Sequence, residues 1–433
     1  MSKEKLTIDQ KLARGKAKQA SPILYGVLKY LVARPILAKG YGFKKNFITD
    51  FRKEKGPYIL ISNHASRADY VFNSAWLKPR FTFVLGYNEF FRSHLAPLMN
   101  MLHNIPKRNF TADYHTMKLI SEHLKKGHSI SIYPEGMSSI GGMNQPVTVG
   151  TGKFLKHFGV PVYYSVIKGG YLSMPKFNCV DRKGTVEADL DIMFTPDDLK
   201  KLTPQEIEDI LNEKLFHDDF RWNKEKQYHY DAKGKIAEGL ETLLYKCPSC
   251  GEEFKMEVTG GDTIRCTKCG NAAKVDDTYM ISPVGDSKIP EFISTWYNWQ
   301  RDELRKEILA NPNFKMTEKV KLGNLPDYKY LKDKATSIVV GEGTVTISRN
   351  GFEYIGTRNK EPFSFHLSTD EVPTFGMCTD ITRFYTFFNG VFMEFYPIGE
   401  NHVMKFFMAA EELHRANGGK WQDFKFDKNV MQN

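Results

Sequence analysis

Six cysteines in 433 residues are too few for a disulfide-stapled secreted fold. Long apolar runs are also missing. The best candidate, residues 20–38, is interrupted by Lys29 and Arg34, with Pro35 directly after, whereas a spanning helix wants about 20 nearly uninterrupted apolar residues. The first 18 residues are polar and Lys-rich, with no apolar run ahead of small residues, so a secretory signal peptide is not expected. No internal repeat or low-complexity tract occurs, and no G-x-S-x-G elbow. Charge is scarce in a different sense. The net +10 is carried by residues 1–60, with 14 Lys plus Arg against 4 Asp plus Glu, and the rest of the chain sums to zero. That excludes a coat protein that is basic all over and argues against nucleic acid as a partner. A basic end that meets anionic lipid fits better.

The length calls for two or three domains, and the pattern divides into five pieces. Residues 1–48 form a basic amphipathic helical segment. Ser21 and Pro22 suit a helix start, and Ile23, Leu24, Val27, Leu28 and Leu31 make an apolar stripe. Lys16, Lys18, Lys29, Arg34, Lys39, Lys44 and Lys45 would attract anionic lipid. A soluble helix that caps the core with a solvated basic face is the other reading. Residues 49–245 alternate short apolar runs with helical patterns. Strands are expected at 58–62, 130–133 and 160–167, and helices at 68–77, 114–126 and 203–215, which implies an α/β domain with a largely buried sheet. Residues 246–281 hold a cysteine module. Residues 282–325 form a connector with a helix over 291–309, whose Phe292, Trp296 and Trp299 should pack on a neighbouring domain. Residues 326–433 are β-rich. Asn389-Gly390 joins aromatic strands 384–388 and 391–395 in a hairpin, and an amphipathic helix at 402–417 follows. Antiparallel strands ahead of one helix resemble a PH or GRAM-like domain.

Cys247-x-x-Cys250-Gly251 and Cys266-x-x-Cys269-Gly270 are two knuckles separated by 15 residues. That spacing puts four thiolates within tetrahedral reach of one Zn²⁺, in a closed structural site with no place for water. The module therefore reads as a zinc ribbon, and thiols committed to metal imply a reducing compartment. Cys179 and Cys378 carry no pattern and are expected to be small buried hydrophobes.

Two loops carry candidate chemistry. The segment Ser62-Asn63-His64-Ala65-Ser66-Arg67-Ala68-Asp69 leaves a strand and opens a helix. His64 sits at the carboxyl end of that strand, where α/β domains place ligands. Asp69 can hold the imidazole by Nδ1–H and leave Nε2 as a base, while a helix-capping Asp beside an unrelated His would give the same spacing. The second loop is Tyr133-Pro134-Glu135-Gly136-Met137-Ser138-Ser139. Asn104-Ile105-Pro106-Lys107-Arg108 lies between the two, and Val160-Pro161-Val162 follows.

In this order and at these distances, the four segments resemble the glycerolipid acyltransferase family. Its members include 1-acylglycerol-3-phosphate and lysophospholipid acyltransferases, with motifs N-H-x4-D, a basic loop, F-P-E-G-T-R-S and a V-P-V-type strand. The resemblance covers roughly residues 55–195. It implies His64 as general base and Asp69 as its orienting partner. Asn63, Lys107, Arg108, Glu135, Gly136 and Pro161 become substrate-side residues: Lys107 and Arg108 on the acceptor's phosphate, Glu135 and Gly136 on the acceptor loop, with the Glu hydrogen-bonding substrate or fixing the loop, and Pro161 on the acyl-donor side. The donor would be acyl-coenzyme A or acyl carrier protein. Met137-Ser138 departs from the family's Thr-Arg, and the missing Arg is one the family uses on that phosphate.

The resulting expectation is a cytoplasmic O-acyltransferase, peripheral on the inner membrane face, that acylates 1-acylglycerol-3-phosphate or a related lysolipid. The zinc ribbon and β-rich domain would recruit a carrier protein, a lipid or a partner. An N-acyltransferase acting on an amine, and a non-catalytic lipid-binding protein on the same fold, stand as alternatives.

Overall fold

The computed structural model describes residues 5–332, 335–378 and 380–419. Residues 1–4 of the basic segment and 420–433 of the β-rich piece lie outside the described residues.

The first sheet comprises β1 (Lys44–Phe47), β2 (Ile59–Ser62), β3 (Thr82–Gly86), β4 (Ile105–Lys107), β5 (Ile130–Ile132), β6 (Val162–Lys168) and β7 (Glu187–Phe194), in the order β1-β7-β6-β2-β5-β3-β4. Every neighbouring pair is parallel except β6 with β7. All four residues of β2 are buried, because helices cover both faces and the strand needs no polar side. Ile59 and Ile61 face one core with Leu119, Ile120, Leu155 and Leu211, whereas Leu60 faces another with Phe72, Phe81 and Leu190. The two-residue period of a strand sends neighbours to opposite faces. β2 lies between β5 and β6, in register Ile59 with Ile130 and Ile59 with Val162. The loops that leave β2 and β5 therefore emerge side by side at the carboxyl edge.

The amino-terminal segment differs from its expectation. Helical structure runs from Pro22 through Val27, then a π-helical turn at Leu28–Ala33, then Arg34–Gly40, so Pro35 does not end it. The widened turn, in which Arg34 N–H reaches the Lys29 carbonyl, eases the chain into the proline that has no N–H to offer. Lys29 and Arg34 are not lipid-facing. The Lys29 ammonium is buried on the Leu77 carbonyl, and Arg34 Nε donates to the Ala75 carbonyl at 2.9 Å. β1 lies in this basic segment, yet it pairs with β7 and completes the sheet. Among the described residues no helix is long and apolar enough to cross a membrane.

Four antiparallel strands follow: β8 (Met256–Thr259), β9 (Thr263–Cys266), β10 (Ala272–Val275) and β11 (Ile281–Pro283). The last sheet has seven antiparallel strands: β12 (Lys315–Asn324), β13 (Ile338–Ser348), β14 (Gly351–Arg358), β15 (Glu361–Leu367), β16 (Gly376–Met377), β17 (Phe384–Phe388) and β18 (Val391–Pro397). Its order is β15-β14-β13-β12-β18-β17-β16, and helix Val403–Ala416 comes after it. β12 starts inside the connector, which therefore belongs partly to this sheet.

These parts share one core. It runs from Met137 and Ile140 through Tyr171, Tyr279 and Trp296 to Phe384 and Phe407. Helix Ile293–Ala310 places buried Arg301 against Glu411 and Glu412 of the terminal helix. Removing one partner of such a buried pair costs about 3–5 kcal/mol, because the other charge is left alone. Trp296 Nε1 donates to the Lys246 carbonyl at 2.9 Å, and Lys405 Nζ bridges Glu253 (2.7 Å) and Glu307 (3.1 Å). The cysteine module is thus clamped on two sides. Cys378 is buried, but Cys179 is exposed, contrary to its expected burial.

Candidate active site and candidate metal centre

Asp69 is the first residue of helix Asp69–Ser74, so its carboxylate points back over the loop that carries His64. His64 Nδ1 lies 2.8 Å from Asp69 Oδ2. The same carboxylate accepts the Ser66 backbone N–H at 2.9 and 3.0 Å and the Ser66 hydroxyl at 2.6 Å. Ser66 was not anticipated as part of this arrangement; its signal is a hydroxyl three residues before an Asp, a local turn motif. Asp69 is buried, while the His64 side chain is 24% exposed. In the tautomer that gives Nδ1–H to the carboxylate, Nε2 keeps its lone pair. The Tyr133 ring lies over the imidazole at 4.5 Å between centroids and fixes its plane.

The second loop reaches the first through Glu135. Oε1 accepts His64 N–H at 2.7 Å, and Oε2 accepts Gln145 N–H at 2.8 Å. Both oxygens are thus spent inside the protein. Burial pushes the Glu135 carboxyl up to about 8, against the pull of its two N–H donors. Glu135 thereby ties its loop to His64 and to Gln145. Ser139 N–H adds a third tie, to the His64 carbonyl at 2.7 Å. Gly136 presents its carbonyl to Asn109 Nδ2 at 2.8 Å, and its Cα packs so closely on Phe110 that a Cβ would fall 2.9 Å from the ring.

Four other expected substrate-side residues are placed differently. Asn63 donates to the Ile167 carbonyl at 2.9 Å and accepts Ile167 N–H at 2.7 Å, so its amide bolts the loop to β6. Lys107 Nζ is turned into its own loop, onto the Arg108 (2.6 Å) and Thr111 (2.8 Å) carbonyls. Arg108 donates to the Gly390 carbonyl at 3.1 Å and to Asp9 at 3.1 Å, and it stacks on Tyr87. Lys107 is thus engaged by half-buried backbone carbonyls, and Arg108 by an exposed carbonyl and an exposed carboxylate. Pro161 precedes β6 and gives its carbonyl to Ile59 N–H at 3.0 Å. The parallel register puts it at the amino edge of the sheet, about 10 Å or more of strand away from His64.

Met137, in the place of the family's Thr, is buried in the shared core, and Ser138 stands in the place of its Arg. Ser138 accepts a hydrogen bond from Lys176 Nζ at 3.0 Å. Lys176 was invisible to motif reading, because it belongs to no pattern and is 38 residues from its partner.

The four cysteines of the module converge. Their sulfurs lie within 4.8 Å of one another, with Cys247 to Cys269 at 3.7 Å and Cys250 to Cys266 at 3.8 Å. A tetrahedral ion at about 2.3 Å from each thiolate requires sulfurs about 3.8 Å apart, so the donor set and spacing fit Zn²⁺. Gly251 and Gly270 have φ of +74° and +75°, the left-handed turn that closes each knuckle, and their N–H groups bond Cys247 and Cys266 carbonyls.

His64 and Asp69 thus form a hydrogen-bonded pair at the carboxyl edge of a mostly parallel sheet. Residues 44–168, which contain both loops, match the family model described as Acyltransferase. The chain therefore carries an acyltransferase domain and is an acyltransferase enzyme. No curated protein matches it. Among solved structures it is similar to the 1-acyl-sn-glycerophosphate (LPA) acyltransferase PlsC from Thermotoga maritima, at 17% identity and a TM-score of 0.36, over 43% of this chain and 79% of that one.

Proposed function

We propose that the protein is a peripheral membrane O-acyltransferase that moves a fatty acyl chain from acyl-coenzyme A or acyl carrier protein to 1-acylglycerol-3-phosphate or a related lysolipid. The observation that carries this reading is the His64–Asp69 contact of 2.8 Å inside the region that matches the acyltransferase family. His64 Nε2 takes the proton of the acceptor hydroxyl as its oxygen attacks the thioester carbonyl. The C–S bond then breaks, and the thiolate leaves with the proton returned by the imidazolium. Asp69 keeps the ring in one tautomer and balances its charge.

Membrane residence is supported by the outward face of the amino-terminal helix. Ile23 is 80% and Leu31 71% exposed, with Val27, Tyr30 and Ile36 on the same surface and Lys16, Lys18, Lys39, Lys44 and Lys45 exposed nearby. An apolar stripe flanked by lysines suits the interface of an anionic leaflet, here the inner, cytoplasmic one. The four-cysteine centre would hold one structural Zn²⁺ through Cys247, Cys250, Cys266 and Cys269, fixing the ribbon fold. The seven-strand antiparallel order with one terminal helix is consistent with a PH or GRAM-like module.

The test is acyl transfer by purified protein, with both donor types and a panel of lysolipid and amine acceptors. His64→Ala is expected to lower kcat by at least about 10²–10³ fold. Transfer confined to amines would make the protein an N-acyltransferase. No transfer to any acceptor, with lipid binding intact, would leave a non-catalytic lipid-binding protein.

A further inference from the structure

The helix that begins with Asp69 is held at both ends. At its first residue the carboxylate meets His64 Nδ1 at 2.8 Å. Just past its last turn, the Ala75 carbonyl accepts Arg34 Nε at 2.9 Å and the Leu77 carbonyl accepts the Lys29 ammonium. The backbone between is continuous: Ala75 N–H bonds the Val71 carbonyl at 3.2 Å, and Val71 N–H bonds the Ala68 carbonyl at 2.9 Å. Helix Asp69–Ser74 has six residues and is about 9 Å long. A rod so short carries a displacement at one end to the other. The last carbonyls of a helix lack partners and bear partial negative charge, so cations suit that end.

Both cations belong to the amphipathic segment. Its outer face carries the exposed Ile23, Val27, Tyr30, Leu31 and Ile36. On its inner face Leu37 is buried in the cluster that holds Phe72, Ala75, Leu77 and Ala65 of the His64 loop. Residues five apart on an α-helix stand about 140° from each other around the axis, so Lys29 and Arg34 would point to different sides. The π-helical turn Leu28–Ala33 removes that angle. Its i→i+5 bond, from Arg34 N–H to the Lys29 carbonyl, stacks the two residues and sends both side chains to Ala75 and Leu77. The Arg34 guanidinium also lies 4.5 Å from the centroids of the exposed Tyr30 ring and of the Trp76 ring. It thus spans from the outer face of the segment to the end of the Asp69 helix.

We infer that Arg34 and Lys29 are positioning residues that couple membrane binding to the His64–Asp69 pair, so that a bilayer raises turnover as well as supplying lipid. The inference rests on the membrane and acyltransferase readings above. With its apolar stripe in water the amino-terminal segment has little burial to hold it, and short helices are marginal on their own. Seating the stripe in the interface fixes the segment. Its two cations then hold the far end of helix Asp69–Ser74, which keeps the carboxylate on the imidazole. Neither residue touches substrate, so the effect falls on kcat and not on KM.

Initial rates are measured with short-chain donor and acceptor that stay dissolved in water, with and without phosphatidylglycerol vesicles. Wild type, Arg34→Gln, Lys29→Met and Arg34→Lys are compared, each with vesicle sedimentation and a melting curve. Vesicles are expected to raise wild-type kcat about threefold or more at unchanged KM. Arg34→Gln and Lys29→Met should sediment with vesicles as wild type does and lose that rise, whatever their Tm. Arg34→Lys, which still offers a donor to Ala75, should keep most of it. No rise in wild type, an equal rise in either neutral variant, a rise that Arg34→Lys fails to keep, or variants that no longer sediment would each overturn the inference. Wild type that does not sediment fails the membrane reading, and the inference falls with it. Should wild type transfer to no acceptor, the acyltransferase reading fails separately, and amide hydrogen exchange over residues 69–77 decides the coupling. Slowing by vesicles in wild type and not in Arg34→Gln supports it; equal slowing, or none, overturns it.

Discussion

The Glu135 carboxylate joins the two loops of the site by accepting the backbone N–H of His64 at 2.7 Å, a contact made across 71 residues of chain. The bond is to the main chain, so the position of His64 depends on Glu135 whatever the imidazole does.

That dependence has a pH signature. Burial raises the Glu135 carboxyl from its ordinary 4.5 to about 8. Between those values the folded protein keeps a proton that the unfolded chain has released. The contribution of Glu135 to stability is therefore full below about pH 4.5 and is lost as pH rises toward 8. Wild type should melt progressively lower, relative to Glu135→Gln, as pH goes from 5 to 8, and the variant should lose activity at all pH values as the His64 loop shifts. Thermal unfolding at several pH values checks the slope; a gap that widens in favour of wild type at high pH would reverse the assignment.

Gly170→Ala should damage the dyad while leaving both of its residues in place. The added Cβ would lie 2.9 Å from Ala65 Cβ and 3.0 Å from Ile167 Cγ2, with Asp69 Oδ1 at 3.7 Å. Overpacking of this kind costs about 1–3 kcal/mol. The expected outcome is a lower Tm and a lower kcat with little change in KM. Gly26→Ala is the control, since nothing lies within 4 Å of its added Cβ in the amino-terminal helix, and it should stabilise by about 0.5–1 kcal/mol. Equal effects of the two substitutions would refute the steric argument.

The sulfur cluster predicts one zinc per chain by elemental analysis. Stripping it with a strong chelator should lower Tm by a wide margin, because site formation supplies on the order of 10 kcal/mol toward folding of so small a module. Activity should fall with it. Tyr279, after β10 of the cysteine module, donates to the Leu172 carbonyl at 2.8 Å, in the segment that follows β6. A metal-free protein with unaltered melting would dismiss the structural role.

Ile23→Glu combined with Leu31→Glu should weaken sedimentation with anionic vesicles at least about ten-fold while leaving Tm unchanged, since both side chains face solvent. Lys29→Ala should do the reverse. Its ammonium is buried against the Leu77 carbonyl, so the loss falls on stability and hardly on vesicle binding. Vesicle binding that is indifferent to the stripe would remove the membrane role of this helix.

Local relationships were legible in the sequence because they are short. The five-residue gap from His64 to Asp69 spans one turn into a helix, and each C-x-x-C-G closes within a single knuckle. The buried strands follow from short continuous apolar runs, and the Asn389-Gly390 hairpin from turn chemistry. Ser66 was within the same reach, but a serine before a helix is too common to single out.

What the sequence by itself determined, then, is which segments become strands and knuckles and which imidazole meets which carboxylate. The tertiary structure alone decided the occupation of every long polar side chain around them. Asn63 is claimed by β6, Lys107 by its own loop, and Arg108 by a hairpin 282 residues away, while Lys176 reaches Ser138 from across the sheet. A lysine or arginine spans several ångströms on flexible bonds, and an ion pair or carbonyl contact carries no sequence spacing. Which partner wins depends on what folding buries nearby. Met137 lies in the shared core, a cluster that also takes in residues of the cysteine module and the last sheet, and no pattern within its own loop specifies that.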